Sequence, residues 1–415
     1  MIYGFVGSTM VACELASYLK SEGAHVDFYT HYQALPASQL LSDIDVSIID
    51  DPMDSRLELK NYDYIWVHSQ VLPERIIRGL AEKMRPKKLP SFIYLHMSIM
   101  DWIPDEKSYI WMLEEKISSK TLFAWEEVRG KQLNELLKSA DLNYGIYQNP
   151  APKGFSLLEY NPRKKLKKIL FIGNQLPDQV IELQQLLETD GYTTKRYGAS
   201  GDSYGRITPE LLGQFDLVVT GSKSAYYCLC AGVPIYIYNY FGRQGYVNED
   251  NIKDSIKRNF SGRGYEMVSA KVAFADLVEN YGKACEFYTS RRKEFIELFS
   301  IDKVLPKIIK STKNREIGSF DKKYTEMVIA NLKLSRRLFI NESERGRLQQ
   351  EYDLSVKQVD DIEKVTEDEI RSLKEEIYKL RSSTSFRIGS VVTAPFRKSR
   401  TYLREKIQQK KRDNS

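Results

Sequence analysis

The chain has 415 residues, 42% hydrophobic and 12% aromatic, enough apolar material for two or three globular domains and too much for a wholly disordered chain. Its net charge of +6 is unevenly placed. From Arg381 to Ser415 there are ten Lys/Arg and two Asp/Glu, so the chain's +6 less the tail's +8 leaves −2 for the first 380 residues. Basicity therefore belongs to the C-terminal segment, and no nucleic-acid-binding fold accompanies it. The four cysteines, Cys13, Cys228, Cys230 and Cys285, have neither C-x-x-C nor metal-finger spacing, which fits a reducing compartment with buried thiols. No apolar run approaches the roughly 18 residues of a spanning helix, and the MIYGFVG start lacks the basic region of a signal peptide.

In chain order, Ile2–Val6 reads as a strand ending at Gly7. Ser8–Ser21 has helical spacing (Met10, Val11, Leu15, Leu19). Strands are predicted at His25–Tyr29, Val46–Ile49, Tyr64–Val67 and Phe92–Leu95, with a helical segment at Pro73–Met84. This rhythm implies a mostly parallel sheet covered on both faces. The run Asn149-Pro-Ala-Pro-Lys-Gly154 is turn chemistry. The rhythm restarts with a strand at Ile169–Ile172, a helix at Gln179–Thr189, a strand at Leu217–Val219, a helix at Ser224–Ala231 and a strand at Ile235–Tyr238. The expected fold class is α/β: two Rossmann-like domains followed by a C-terminal helical extension. The expected boundaries are an N-terminal domain over 1–150, a linker over 151–168, a C-terminal domain over 169–315, a long helix over 321–382 and a basic amphipathic tail over 383–415.

The long helix carries Ile370, Leu373, Ile377 and Leu380 at coiled-coil seam spacing. Extended backwards, the register takes in Val356 and Val359. Between them it puts Glu363 and Thr366 on the seam, with Ile362 and Val365 one position early. Oligomerisation or partner docking is the functional reading, and a solvated single helix the plain one. In the tail, Phe386, Ile388, Val391, Val392, Phe396 and Leu403 sit among the basic residues, a mixture suited to an anionic membrane surface.

The stretch TGSKSAYYCLCAGVPIYIYNYFG, 220–242, places small polar residues where a buried strand gives way to a helix. In an open parallel sheet that is the ligand edge, and a helix N-terminus there offers free N–H groups to a phosphate. Gly221 would let the backbone approach. Ser222 and Ser224 would donate hydroxyl hydrogen bonds, and Lys223 would add charge against a diphosphate. Alternatively Ser222 is only a helix cap and Lys223 only a solvated charge. There is no G-x-x-x-x-G-K-[ST] P-loop.

SKSAYYCLCAGVPIYIYNYFGRQGY, the later NFSGRGY at 259–265, and Ser385-Phe-Arg-Ile-Gly389 with Pro395-Phe-Arg397 together resemble strings of GT-B glycosyltransferases of bacterial cell-surface polysaccharides. The resemblance covers the C-terminal domain and tail, and the N-terminal domain only as architecture. It implies a glycosyltransferase that moves a sugar from a nucleotide-diphosphate donor to a cell-surface glycan or lipid-linked acceptor. Donor contacts would then come from Gly173, Asn174, Gly221, Ser222, Lys223, Ser224, Tyr238, Asn239, Tyr240, Asn259, Ser261 and Arg263. The Glu-x7-Glu pair of many retaining members is missing from the 224–231 helix. The resemblance also implies a peripheral position at the cytoplasmic face of the cell membrane. Two other readings stay open: a glycerol or ribitol phosphate transferase using a CDP-linked donor, and a non-catalytic GT-B scaffold.

His31, His68 and His96 each follow a predicted strand end, and Asp101 lies close after His96. The acceptor's base is expected among His96, His68 and Asp101, although polar residues also gather at strand ends for structural reasons. No metal motif stands out. Asp43-Ile-Asp45 reads as a turn, so a metal-independent reaction is expected, with no cofactor beyond the donor substrate. Gly4-Phe-Val-Gly7 is a weak dinucleotide signal that strand–helix packing explains equally well.

Overall fold

The computed structural model describes residues 7–68, 70–82, 88–99, 111–135, 142–313, 315–318, 320–386 and 388, with Lys406 and Gln409 as single residues. The expected strand at Ile2–Val6, Asp101 and most of the basic tail lie outside the described residues. The chain divides into two compact units, Met1–Ser343 and Glu344–Ser415. It is a mixed α/β protein with parallel sheets and a long C-terminal helix.

Among the described residues, the first unit holds three sheets. β1 (Asp27–Tyr29) pairs in parallel with β2 (Ser47–Ile49). β3 (Tyr64–His68), β4 (Ser91–His96), β5 (Ser118–Phe123) and β6 (Tyr144–Ile146) form a four-stranded parallel sheet in sequential order. β7 (Lys168–Ile172), β8 (Thr193–Tyr197), β9 (Leu217–Thr220), β10 (Ile235–Asn239) and β11 (Gly242–Tyr246) form a five-stranded sheet in the order β11-β10-β9-β7-β8. Only β11 runs antiparallel to its neighbour.

The central strands of this larger sheet are apolar on both faces because both faces are covered, as parallel sheets require. Ile169, Phe171, Leu217 and Val219 pack against Val180, Leu183 and Leu187 of helix Asp178–Thr189 and Ala273 and Leu277 of helix Ala270–Glu279. The alternate residues Leu170, Val218, Ile235 and Ile237 face helix Lys223–Ala231 and the aromatic side of helix Tyr281–Phe299, including Tyr288, Phe295 and Phe299. In the four-stranded sheet, Val67, Phe92 and Tyr94 meet Ile76, Ile77 and Leu80 of helix Glu74–Ala81, together with Val328, Ile329 and Leu332. On its other side Ile93, Leu95 and Leu122 pack with Val11 and Ile308.

Several connections bind these halves. Helix Ile301–Ser311 returns to the N-terminal side, where Ile301 and Leu305 pack on Leu15 of helix Gly7–Ser21. Segment 151–168 is tied at both ends. Ala151 exchanges backbone hydrogen bonds with Phe299 (2.7 Å) and Ile301 (2.9 Å). At the far end the buried Asp216 carboxylate pairs with Arg163 at 2.9 Å and accepts from the Lys167 and Lys168 amides. The long helix runs from Lys322 to Ser382. Among the described residues, no helix is long and apolar enough to cross a membrane.

Candidate functional site

The order β8-β7-β9-β10 reverses direction at β7: the chain steps first to one side and then to the other. The carboxyl edge between β7 and β9 is therefore a topological switch point, where open parallel sheets leave a crevice. Phe171 lies opposite Val219, so the two strands end side by side at Gly173 and Gly221. Gly173-Asn174 lies against the end of β8: the Ala199 amide donates to Asn174 Oδ1 at 3.3 Å, and the Ser200 amide to Asn174 O at 3.1 Å. A Cβ at Gly198 would stand 2.0 Å from Gly173 O, so only glycine fits there.

On the β9 side the backbone is strained. Ser222 has φ 53° and ψ −128°, and its side chain makes no capping hydrogen bond, so it is not an ordinary serine cap. Its amide donates to Phe260 O at 2.9 Å. Among the described residues, the Lys223 and Ser224 amides find no acceptor, as the first turn of a helix leaves them. A Cβ at Gly221 would lie 2.5 Å from Asn239 Nδ2 and 2.9 Å from Phe260 O. Six described non-glycine residues have positive φ. Five of them, Gln148, Asn149, Ser222, Asn259 and Phe260, gather here, and only Asp45 lies elsewhere. Strain of this kind persists only where surrounding contacts hold it, and it concentrates at functional positions. The contacts are present: the buried Asn259 accepts at Oδ1 from Tyr226 Oη (3.0 Å) and from Asn149 Nδ2 (3.1 Å).

Lys223 is buried rather than solvated. Its ammonium forms an ion pair with Glu14 at 2.8 Å and donates to the carbonyls of Asn149 (3.1 Å) and Pro150 (2.7 Å). Tyr227 Oη donates to the other oxygen of Glu14. Burial lowers the Lys223 pKa from its usual value, and Glu14 opposes that shift. The charge that the sequence offers to a diphosphate is thus held by helix Gly7–Ser21 and by the chain's crossover between the sheets.

The other expected donor residues separate. Asn239 is half-buried beside Gly221 and accepts from the Phe241 amide at 2.9 Å. Its neighbour Tyr238 is a core residue whose hydroxyl donates to Val268 O, while Tyr240 is exposed. Ser261 is fully buried and accepts from the Arg263 amide. Arg263 stacks its guanidinium over Phe241, 3.9 Å from the ring centroid, and is in no ion pair among the described residues. Partial burial lowers its pKa from the usual value.

At the four-stranded sheet, His68 ends β3 and His96 ends the neighbouring β4. His96 is only 1% exposed. Its Nε2 is 2.9 and 3.1 Å from the two oxygens of Glu114, and its ring stacks on Phe123. Glu114, fully buried, also accepts from Thr121 Oγ1 (2.8 Å) and Gln70 Nε2 (2.9 Å). A carboxylate that orients an imidazole is base-and-orienter geometry, here enclosed in the core. His31 lies on the separate β1–β2 side, with Nδ1 3.1 Å from Tyr29 Oη; burial lowers its pKa to about 3.

Sequence reasoning missed Glu14, Asn149, Tyr226, Tyr227, Phe260 and Glu114. Glu14 had a usable signal, a lone acid within the apolar run MVACELASYL. Asn149 and Asn259 had a weaker one, since asparagine tolerates positive φ. Among the described residues, no three His, Cys, Asp or Glu side chains converge as a metal site.

No protein-family model matches the chain, and no curated protein matches it. Among solved structures it is similar to one titled "Crystal structure of accessory secretory protein 1,2 and 3 in Streptococcus pneumoniae", at 13% identity and a TM-score of 0.31. The match covers 68% of this chain and 56% of that one, so the chain spans little more than half the length of its structural neighbour. At that score the architecture rests on the chain's own strand order.

Proposed function

We propose that the protein is a glycosyltransferase of GT-B architecture, with its nucleotide-diphosphate donor site at the carboxyl edge between β7 and β9. The supporting observation is the coincidence of a topological switch point with the strained Gly221-Ser222 backbone and with the Lys223 and Ser224 amides, which find no acceptor among the described residues. In this reading, residues 1–150 take a glycan or lipid-linked acceptor, 169–315 take the donor, and the diphosphate lies along Gly173, Gly221, Ser222 and Ser224. Arg263 serves as the free cation. Helix dipole and guanidinium supply the electrostatic role that a metal has in other transferases. His96, His68 or Asp101 takes the acceptor's proton, and the basic tail holds the enzyme at an anionic membrane surface.

Calorimetric titration of the full chain with UDP, GDP, dTDP and CDP tests this. One nucleotide should bind in the micromolar range. Arg263→Gln should weaken it about tenfold, and Gly221→Val should abolish it with the circular dichroism unchanged. Binding of CDP alone would shift the reading to a glycerol or ribitol phosphate transferase. No binding by any of the four would overturn the donor site.

The non-catalytic scaffold reading draws on a different observation. Lys223 is already neutralised by Glu14, and helix Lys223–Ala231 carries no acid for a donor sugar. Nucleotide binding without hydrolysis or transfer of any nucleotide sugar would select it.

A further inference from the structure

The second unit poses a problem of its own. From residue 351 to 382 every described residue is exposed, so about nine turns of helix have no core. Isolated helices draw little stability from propensity alone; an amphipathic face needs a partner. That face exists. Ile370, Leu373, Ile377 and Leu380 are 46%, 57%, 50% and 63% exposed, aligned as two consecutive a and d pairs.

We infer that this face binds the same face of a second copy of the chain, parallel and in register, as a two-stranded coiled coil. Two features of the helix point to that occupant. First, isoleucine at a with leucine at d is the combination that favours parallel dimers. Second, the flanking charges are complementary in one orientation only. Glu369 and Glu376 fall at g, and Lys374 and Arg381 at e. A parallel pair sets each g against the following e of the other chain: Glu369 against Lys374 and Glu376 against Arg381, in both directions. An antiparallel pair sets g against g and e against e, opposing glutamate to glutamate and cation to cation. None of the four is in an ion pair among the described residues, although the outward-facing Arg371 already pairs with Asp368 at 3.5 Å. The single helix leaves unpaired the charges that a second helix would match.

The consequence follows from chain direction. A parallel pair has both C-terminal ends together, so the two basic segments after Arg381 leave from one place. Two weak attachments to an anionic surface become one strong one through effective concentration. This pairing stands independently of the donor site.

The test uses the full chain. Sedimentation equilibrium at micromolar concentration should give twice 48.2 kDa. The double substitution Ile370→Asp/Ile377→Asp should weaken association by more than about 100-fold. Arg371→Ala, on the outward face, should leave it unchanged. Leu380→Cys should form an interchain disulfide on mild oxidation that the wild type does not, because parallel d positions lie within disulfide reach while Cys13, Cys228 and Cys230 are buried and Cys285 is half-buried. A monomeric mass, a trimer, a dimer that survives the double substitution, or a dimer in which Leu380→Cys stays reduced would each overturn the proposal.

Discussion

The carboxyl edges of the two larger sheets solve the same local problem in opposite ways. At the end of β4 the strand delivers a side chain, His96, and the core closes over it with Glu114, Thr121 and Gln70. At the ends of β7 and β9 the strands deliver bare backbone, Gly173 and Gly221, and five residues at positive φ gather beside it. A polar side chain at a strand end is thus weak evidence for a ligand site, because the interior can satisfy it. A backbone edge that nearby groups leave unpaired is stronger, because burying it without a partner costs free energy.

The comparison breaks most readily at the ion pair that joins the halves. Lys223→Met leaves Glu14 buried and uncompensated, and should cost about 3–5 kcal/mol in urea unfolding. The double variant Glu14→Leu/Lys223→Met should recover most of that loss, since a well-packed apolar pair replaces a buried ion pair at little cost. Next is the enclosed histidine. Glu114→Ala removes the acceptor of three side chains and should destabilise by about 3 kcal/mol by the same measurement. Its effect on nucleotide binding should be nil, which separates the two edges.

Gly221→Ala should destabilise by about 1–3 kcal/mol, because the Asn239 amide can move aside but the Phe260 carbonyl cannot. Unlike Glu114→Ala, it should also weaken nucleotide affinity. An effect of pH is also expected. His31 has a folded pKa of about 3, below its ordinary 6.5, so the folded state prefers the neutral ring. Unfolding then takes up a proton in acid. Stability should be full above pH 6.5 and fall as pH drops towards 3, by up to about 1.4 kcal/mol per pH unit. His31→Asn, which keeps an acceptor for the Tyr29 hydroxyl, should flatten that dependence. Smallest of all, a thiol reagent applied to the native protein should label the half-buried Cys285 well before the buried Cys13, Cys228 and Cys230, with Cys13 and Cys230 both pushed up to about 12.

Much of the architecture was legible in the chain because both periodicities are strong. The runs that read as strands at Phe92, Ile169, Leu217 and Ile235 are the central strands β4, β7, β9 and β10, each apolar enough to be buried on two faces, and the run at Tyr64 is β3, an edge strand whose first residue is exposed. The less apolar edge strands β6, β8 and β11 left no such signal, and the half-polar β5 (SSKTLF) also escaped notice. Its Thr121 faces a buried glutamate that only the fold supplies. The long helix was legible from its absence of proline and its single glycine, Gly346.

The sequence by itself determined where strands end and helices begin, and so named Gly173, Gly221 and Ser222 as neighbours at the carboxyl edge of one sheet. Local spacing carries that information. Only the tertiary structure decided what each charged or polar side chain there does. It buried Lys223 against Glu14 from a helix more than two hundred residues earlier, turned Tyr238 into the core, and left Arg263 stacked on Phe241 and in no ion pair among the described residues. Long-range partners decide whether a charge is spent inside the protein or left for a ligand, and no short stretch of sequence contains them.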